Sequence, residues 1–95
     1  MNAVSSSNES SNSYSRIVYV LNDIRLIRCR DDLQWITQYH RGGYWRSRSY
    51  HTEVSTIHRD EPMLDLQCVR EAIARDSNKR LMQSQIAQRV ITGVL

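Results

Sequence analysis

The sequence predicts an α+β fold, a four-stranded antiparallel β-meander followed by two C-terminal helices. Two observations predict it. Residues 17–51 fall into short β-branched and aromatic runs separated by Asn22-Asp23, Asp31-Asp32 and Gly42-Gly43, pairs that suit tight turns. Residues 60–92 switch to apolar spacings of three and four, the period of a helix. A chain of 95 residues has room for one domain. Two parts are expected, a leader over 1–15 and a single α+β domain over 16–95.

The leader holds seven Ser and three Asn with one Tyr. Such a segment offers little apolar surface to offset its ordering entropy, so disorder is expected over 1–15. Ile17–Leu21, Ile24–Arg30, Leu33–His40 and Tyr44–His51 are the four expected strands. The turn pairs set Leu21 against Ile24, Arg28 against Trp35, Tyr39 against Arg46 and Arg41 against Tyr44. Opposed residues share a face. With unbroken alternation, one face carries Ile17, Tyr19, Leu26, Arg28, Trp35, Tyr39, Tyr44, Arg46, Arg48 and Tyr50. The other carries Val18, Arg25, Ile27, Cys29, Ile36, His40, Trp45, Ser49 and His51.

Thr52 suits the cap of a short helical turn through Ile57. Asp60-Glu61-Pro62 reads as the start of a helix, with Met63, Leu66, Val69, Ala72 and Ile73 on one stripe. Asp76-Ser77-Asn78 reads as a break before a last helix from Lys79 to Thr92. There Met82, Ile86 and Val90 form a narrower stripe that suits packing or self-association. Ser84–Arg89 resembles the first helix of a helix-turn-helix, but Ile91 stands where the turn glycine belongs.

The formal net charge is +3. Residues 16–51 hold seven Arg against three Asp, while residues 52–95 balance six basic against six acidic side chains. The positive field therefore belongs to the sheet. Twelve of the thirteen basic residues are Arg, whose planar fork suits carboxylates, phosphates and aromatic faces.

Motifs for chemistry are absent. There is no Walker loop and no dinucleotide fingerprint, and no acid, base and nucleophile converge in a readable pattern. Cys29 and Cys68 have no metal-ligand spacing and read as buried free thiols. His40, His51 and His58 read as surface residues, and no metal or cofactor is implied. The expectation is a protein that is not an enzyme. Its one concentrated surface candidate is Tyr39, Arg41, Tyr44, Arg46, Arg48 and Tyr50, a mixture used by protein hot spots and by nucleic-acid platforms alike.

Asp32-Leu33-Gln34-Trp35-Ile36-Thr37-Gln38, with Gly43-Tyr44-Trp45-Arg46-Ser47-Arg48-Ser49-Tyr50, resembles a group of short uncharacterised phage and prophage proteins of alphaproteobacteria. That group carries a Trp-Ile/Leu-x-Gln strand, a Gly-Arg-Trp-Arg hairpin and a Ser-Phe/Tyr ending before a helix that starts at Thr. The likeness runs from Arg28 to Ile57. This chain departs from the pattern at His40, where the group is basic, and in a less helical Thr52–His58. The resemblance implies an accessory protein of a mobile element and no assigned activity.

The leading expectation is a non-enzymatic binding protein that attaches to a host macromolecular complex, protein or ribonucleoprotein. An inhibitor of a host defence nuclease, anti-CRISPR-like, is its concrete form. The alternative is direct nucleic-acid binding through the same patch. A homodimer formed through Met82, Ile86 and Val90 is a third reading. The longest apolar run, Ile17–Leu21, is far shorter than a membrane span. With no apolar segment in Met1–Ser15, the host cytoplasm is the expected location.

Overall fold

The computed structural model describes residues 8–92, with side chains as far as Met82. The four strands are β1 (Ile17–Leu21), β2 (Ile24–Arg28), β3 (Trp35–Arg41) and β4 (Tyr44–His51), and the two helices are α1 (Val54–Asp60) and α2 (Leu66–Thr92). The strands form one antiparallel sheet in the order β1-β2-β3-β4. The predicted α+β fold is therefore the observed one.

Turn chemistry explains the meander. Gly42 and Gly43 both sit at positive φ, 62° and 84°, the pair of angles a two-residue hairpin needs to match strand twist. Asn22 enters the same region at 54°, which its short polar side chain tolerates. The pairs Leu21–Ile24, Arg28–Trp35, Tyr39–Arg46 and Arg41–Tyr44 fall where the turns put them.

Two β-bulges break the expected alternation. One lies between Ile17 and Tyr19. It leaves Ile17 with Ile27, Cys29 and Ile36 on one face and sends Val18 to the other. The second lies opposite Thr37 and Gln38, where Arg48 is the extra residue of β4. Beyond it, Ser49 and His51 turn to the helix face and Tyr50 to the opposite face, the reverse of unbroken alternation. A bulge inserts one residue without a partner, so every later side chain changes sides.

The helices cover the face of Leu26. Leu26, Ile57, Leu64 and Val69 are fully buried there, flanked by Tyr19, Leu21, Ile24, Trp35 and Ile73. Each such side chain contributes about 1.5–3 kcal/mol of burial. Asp60-Glu61-Pro62 does not open the long helix. Asp60 ends α1, and Glu61 turns inward to 1% exposure. α2 starts at Leu66 and is capped by Asp65, whose Oδ2 accepts the Cys68 N–H at 3.0 Å.

The expected break at Asp76-Ser77-Asn78 is also absent, since α2 runs straight through it. Each of these residues costs a helix only about 0.5 kcal/mol relative to Ala. Asp76 offsets part of that by pairing with Arg80 one turn on, at 3.2 Å.

The leader expectation fails for residues 8–15, which lie against the sheet face opposite the helices. Tyr14 is buried with Ile27, Cys29 and Ile36, and its hydroxyl donates to Arg28 O at 2.7 Å. Composition undervalued this segment because its partners are polar and already in place on the sheet. Residues 1–7 lie outside the described residues.

A continuous α2 makes a prediction. Ser77 is exposed in mid-helix, so Ser77→Ala should raise unfolding stability by about 0.5 kcal/mol. Ser77→Pro should lower it by about 3 kcal/mol. Urea denaturation measures both; a neutral Ser77→Pro would restore the break.

Candidate functional site

The sheet's seven arginines do four different jobs. Arg16 and Arg28 share Asp32 at 3.0 and 2.9 Å. The hydrogen bond from Arg28, then that from Arg16, hold the Asp32 carboxyl below its ordinary range. Arg28 also lies over the Trp35 ring, 4.4 Å from its centroid. Arg25 is buried on the leader face, its ionisation lowered to about 10 by burial, and so it stays charged at neutral pH. Arg48 is tied to Glu61 at 3.0 Å. Among the described residues Arg30, Arg41 and Arg46 make no ion pair, and all three are exposed.

Arg41 and Arg46 sit together at the β3–β4 hairpin. The register sets Tyr39 beside Arg46 and Arg41 beside Tyr44, so all four project to the helix side of the sheet. Arg48 joins them from the bulge, 4.9 Å above the Tyr39 ring and hydrogen-bonded through Nη1 to the Tyr39 hydroxyl at 2.5 Å. Tyr44 is 61% exposed. Five of the six expected binding residues are thus brought together. Tyr50 is not, because the bulge sends it to the other face, beside Ile36.

Sequence reasoning missed what holds Arg48. Glu61 is the buried carboxylate beneath it, and its Oε2 also accepts from the Thr37 hydroxyl at 3.2 Å. The visible signal is an acidic residue before Pro62, a pattern that reads equally as a helix start. Removing Arg48 leaves a charge in the core, so Arg48 is partly structural.

A chain of hydroxyls continues from Thr37 to Ser49 and from Ser49 to His51 Nε2 at 2.7 Å. His51 Nδ1 meets Thr56 Oγ1 at 2.7 Å, and the Thr56 hydroxyl donates to Glu53 O at 2.9 Å. The Thr56 hydroxyl, spent on Glu53 O, can only accept from the ring, so the network places a proton on Nδ1. This Ser–His contact lacks the layout of a triad. A hydroxyl rather than a carboxylate orients Nδ1, and Asp60 lies nearer Nε2, at 3.9 Å. The chain of bonds instead fastens α1 to β3 and β4.

His51 is buried, which corrects the surface reading for this histidine. His40 is half-buried and tilted against the Trp45 ring at 4.8 Å. His58 is half-buried, with Nδ1 2.8 Å from Leu64 O. Both cysteines are free, Cys29 buried and Cys68 half-buried. Among the described residues, no group of three or more His, Cys, Asp or Glu is placed to hold a metal ion. No described helix is long and apolar enough to cross a membrane. Met82 is exposed at 61%, while the side chains of Ile86 and Val90, its expected self-association partners, lie outside the described residues.

Arg48→Ala should destabilise the fold by about 2–3 kcal/mol, less than for a wholly buried pair because Arg48 is half exposed. Arg46→Ala should stay within about 0.5 kcal/mol. Combining Arg48→Ala with Glu61→Gln should recover part of the loss, as read by chemical denaturation.

Burial pushes the His51 ionisation below its ordinary value, outweighing the pull of Asp60. The unfolded chain therefore takes up this proton first. The stability due to neutral His51 is complete above about pH 6.5 and is lost as pH falls through the lowered folded value. Urea midpoints should drop between pH 7.5 and 5.5, and His51→Gln should flatten that part of the slope.

No family model, curated protein or solved structure matches this chain.

Proposed function

We propose that this chain is a non-enzymatic binding protein whose working surface is the β3–β4 hairpin, and that its partner is an acidic protein surface. The observation that carries this reading is the concentration of Arg41, Arg46, Tyr44 and the Arg48–Tyr39 pair on one side of one hairpin. Arginine and tyrosine supply most of the energy at many protein interfaces, through fork geometry and broad, stiff contact area. Arg48 and Tyr39 are already fastened to each other and to Glu61. Little side-chain freedom is left for them to lose on binding.

The same geometry weakens the nucleic-acid alternative. A stacking platform needs several open aromatic faces. Here Arg48 covers Tyr39, Trp45 is buried, and Tyr50 lies on the other side. Tyr44 is the one patch ring left fully open. The resemblance to mobile-element proteins makes a host defence complex the partner to test first.

The test compares the wild-type chain with Arg41→Ala/Arg46→Ala in co-purification from such a host. Both side chains are exposed, so the variant should fold normally. A stoichiometric protein partner should bind wild type and lose about a hundredfold in affinity to the double variant, about 1.4 kcal/mol for each Arg. A partner held equally by both proteins overturns the assignment to this hairpin. A mobility shift with single-stranded oligonucleotide, with affinity falling at a log–log salt slope of about −0.7 per phosphate contact, would replace it with the nucleic-acid reading.

A further inference from the structure

The sheet face away from the helices holds a strap of two consecutive turns, closed by the Ser11 N–H on Asn8 O at 3.0 Å and the Tyr14 N–H on Ser11 O at 3.3 Å. Three consecutive carbonyls of the strap formed by residues 9–14 are met by donors from the sheet. Glu9 O accepts from Arg25 Nη2 and from Gln38 Nε2, both at 2.9 Å. Ser10 O accepts from the Trp45 main-chain N–H at 3.2 Å, outside the β-ladder of this edge strand. Ser11 O accepts from Arg25 Nη2 at 3.0 Å.

Three side chains of the strap are also read. The Glu9 carboxylate accepts the Arg30 N–H at 2.7 Å. Asn12 Oδ1 accepts from the Trp45 indole at 2.7 Å. The Tyr14 ring enters the pocket of Ile27, Cys29 and Ile36, with its hydroxyl on Arg28 O. The serines between them are not read. Ser11 and Ser13 bond to each other at the surface.

The donors hold one another in place. Arg25 Nε donates to Gln38 Oε1 at 2.7 Å, and its guanidinium lies 4.3 Å from the centroid of the Trp45 ring. That ring rests in turn on His40. Strap carbonyls, not carboxylates, complete this buried guanidinium. A buried charge satisfied by main-chain oxygens can accept any segment that brings carbonyls to the same points, with side chains choosing among segments.

We propose that this face is a peptide-binding groove, filled in this chain by its own residues 9–14. Its ligand in a partner protein is a linear segment with an acidic residue, an Asn three positions later and a Tyr five positions later. The strap is then an intramolecular competitor. Its tether to β1 is only Ser15 and Arg16, so its effective concentration in the groove is in the millimolar range or above. A partner segment gains access in proportion to how far the strap is weakened.

The experiment uses the full chain and a fluorescein-labelled peptide with the sequence of residues 8–15. Wild type should bind it weakly. Tyr14→Ala, which removes the strap's apolar anchor, should bind at least about tenfold more tightly by anisotropy, because the internal competitor is weakened. The Trp45 indole N–H resonance should shift on binding. A peptide with Ala in place of its Tyr should not bind.

Asn12→Ala carries the same test if Tyr14→Ala does not fold, since Asn12 is exposed and loses one bond. Variants with native circular dichroism that bind no peptide overturn the proposal. Concentration-dependent dimers of such variants without peptide binding would put a second copy's strap in the groove and also overturn it.

Discussion

A carboxylate with 1% of its surface in contact with solvent has to be answered by positive charge, and Glu61 is answered by Arg48 at 3.0 Å. Desolvating an ion costs several kcal/mol unless such a partner is present. Arg48 is the extra residue of the bulge opposite Thr37 and Gln38; it stays on the helix side, where unbroken alternation also puts it, and the residues after it change faces. The consequences run outward from that point. Arg48 reaches Tyr39, Ser49 and His51 turn under α1, and Tyr50 leaves the patch. The buried charge and the bulge together fix how α1 is fastened and which aromatic residues share a side with Arg41 and Arg46.

The other face follows a parallel logic with a different answer. Arg25 is also a buried charge, yet no carboxylate among the described residues meets it. It is satisfied by Gln38, by strap carbonyls and by the Trp45 ring. This explains how a segment rich in Ser and Asn lies ordered over residues 8–15. The apolar return from such a segment is small and comes from Tyr14 alone. Its docking rests on completing polar groups that the sheet would otherwise leave bare, and leaving such a group unsatisfied costs about 1–3 kcal/mol.

Local signals made the meander legible. Gly42-Gly43 and Asn22-Asp23 force tight turns, and a tight turn sets the register of the strands it joins. That was enough to bring Tyr39, Arg41, Tyr44 and Arg46 together on paper. The misses share one cause, since each depends on a partner distant in sequence. Neither bulge has a local mark, because Val18 and Arg48 look like ordinary strand residues. Glu61 looked like a helix start because its answering charge lies thirteen positions earlier. Asp76-Ser77-Asn78 looked like a break because weak propensity is visible locally, whereas the helix is held by the sheet beneath Val69 and Ile73.

The bookkeeping of arginines separates structural charge from charge left over. In a sheet this small, cations placed by composition alone would all count as candidate binding groups. Arg16 and Arg28 are taken by Asp32, Arg25 by the strap, and Arg48 by Glu61. Arg30 stands at the far end of the sheet, near Glu9. Arg41 and Arg46 remain, adjacent, exposed and carried on a hairpin whose two glycines have no neighbouring atom within 4 Å of an added Cβ. Nothing within the described fold uses their charge. A positive pair that the fold neither neutralises nor buries repels itself slightly and contributes little to stability. A partner's carboxylates are the groups that would turn that pair into binding energy.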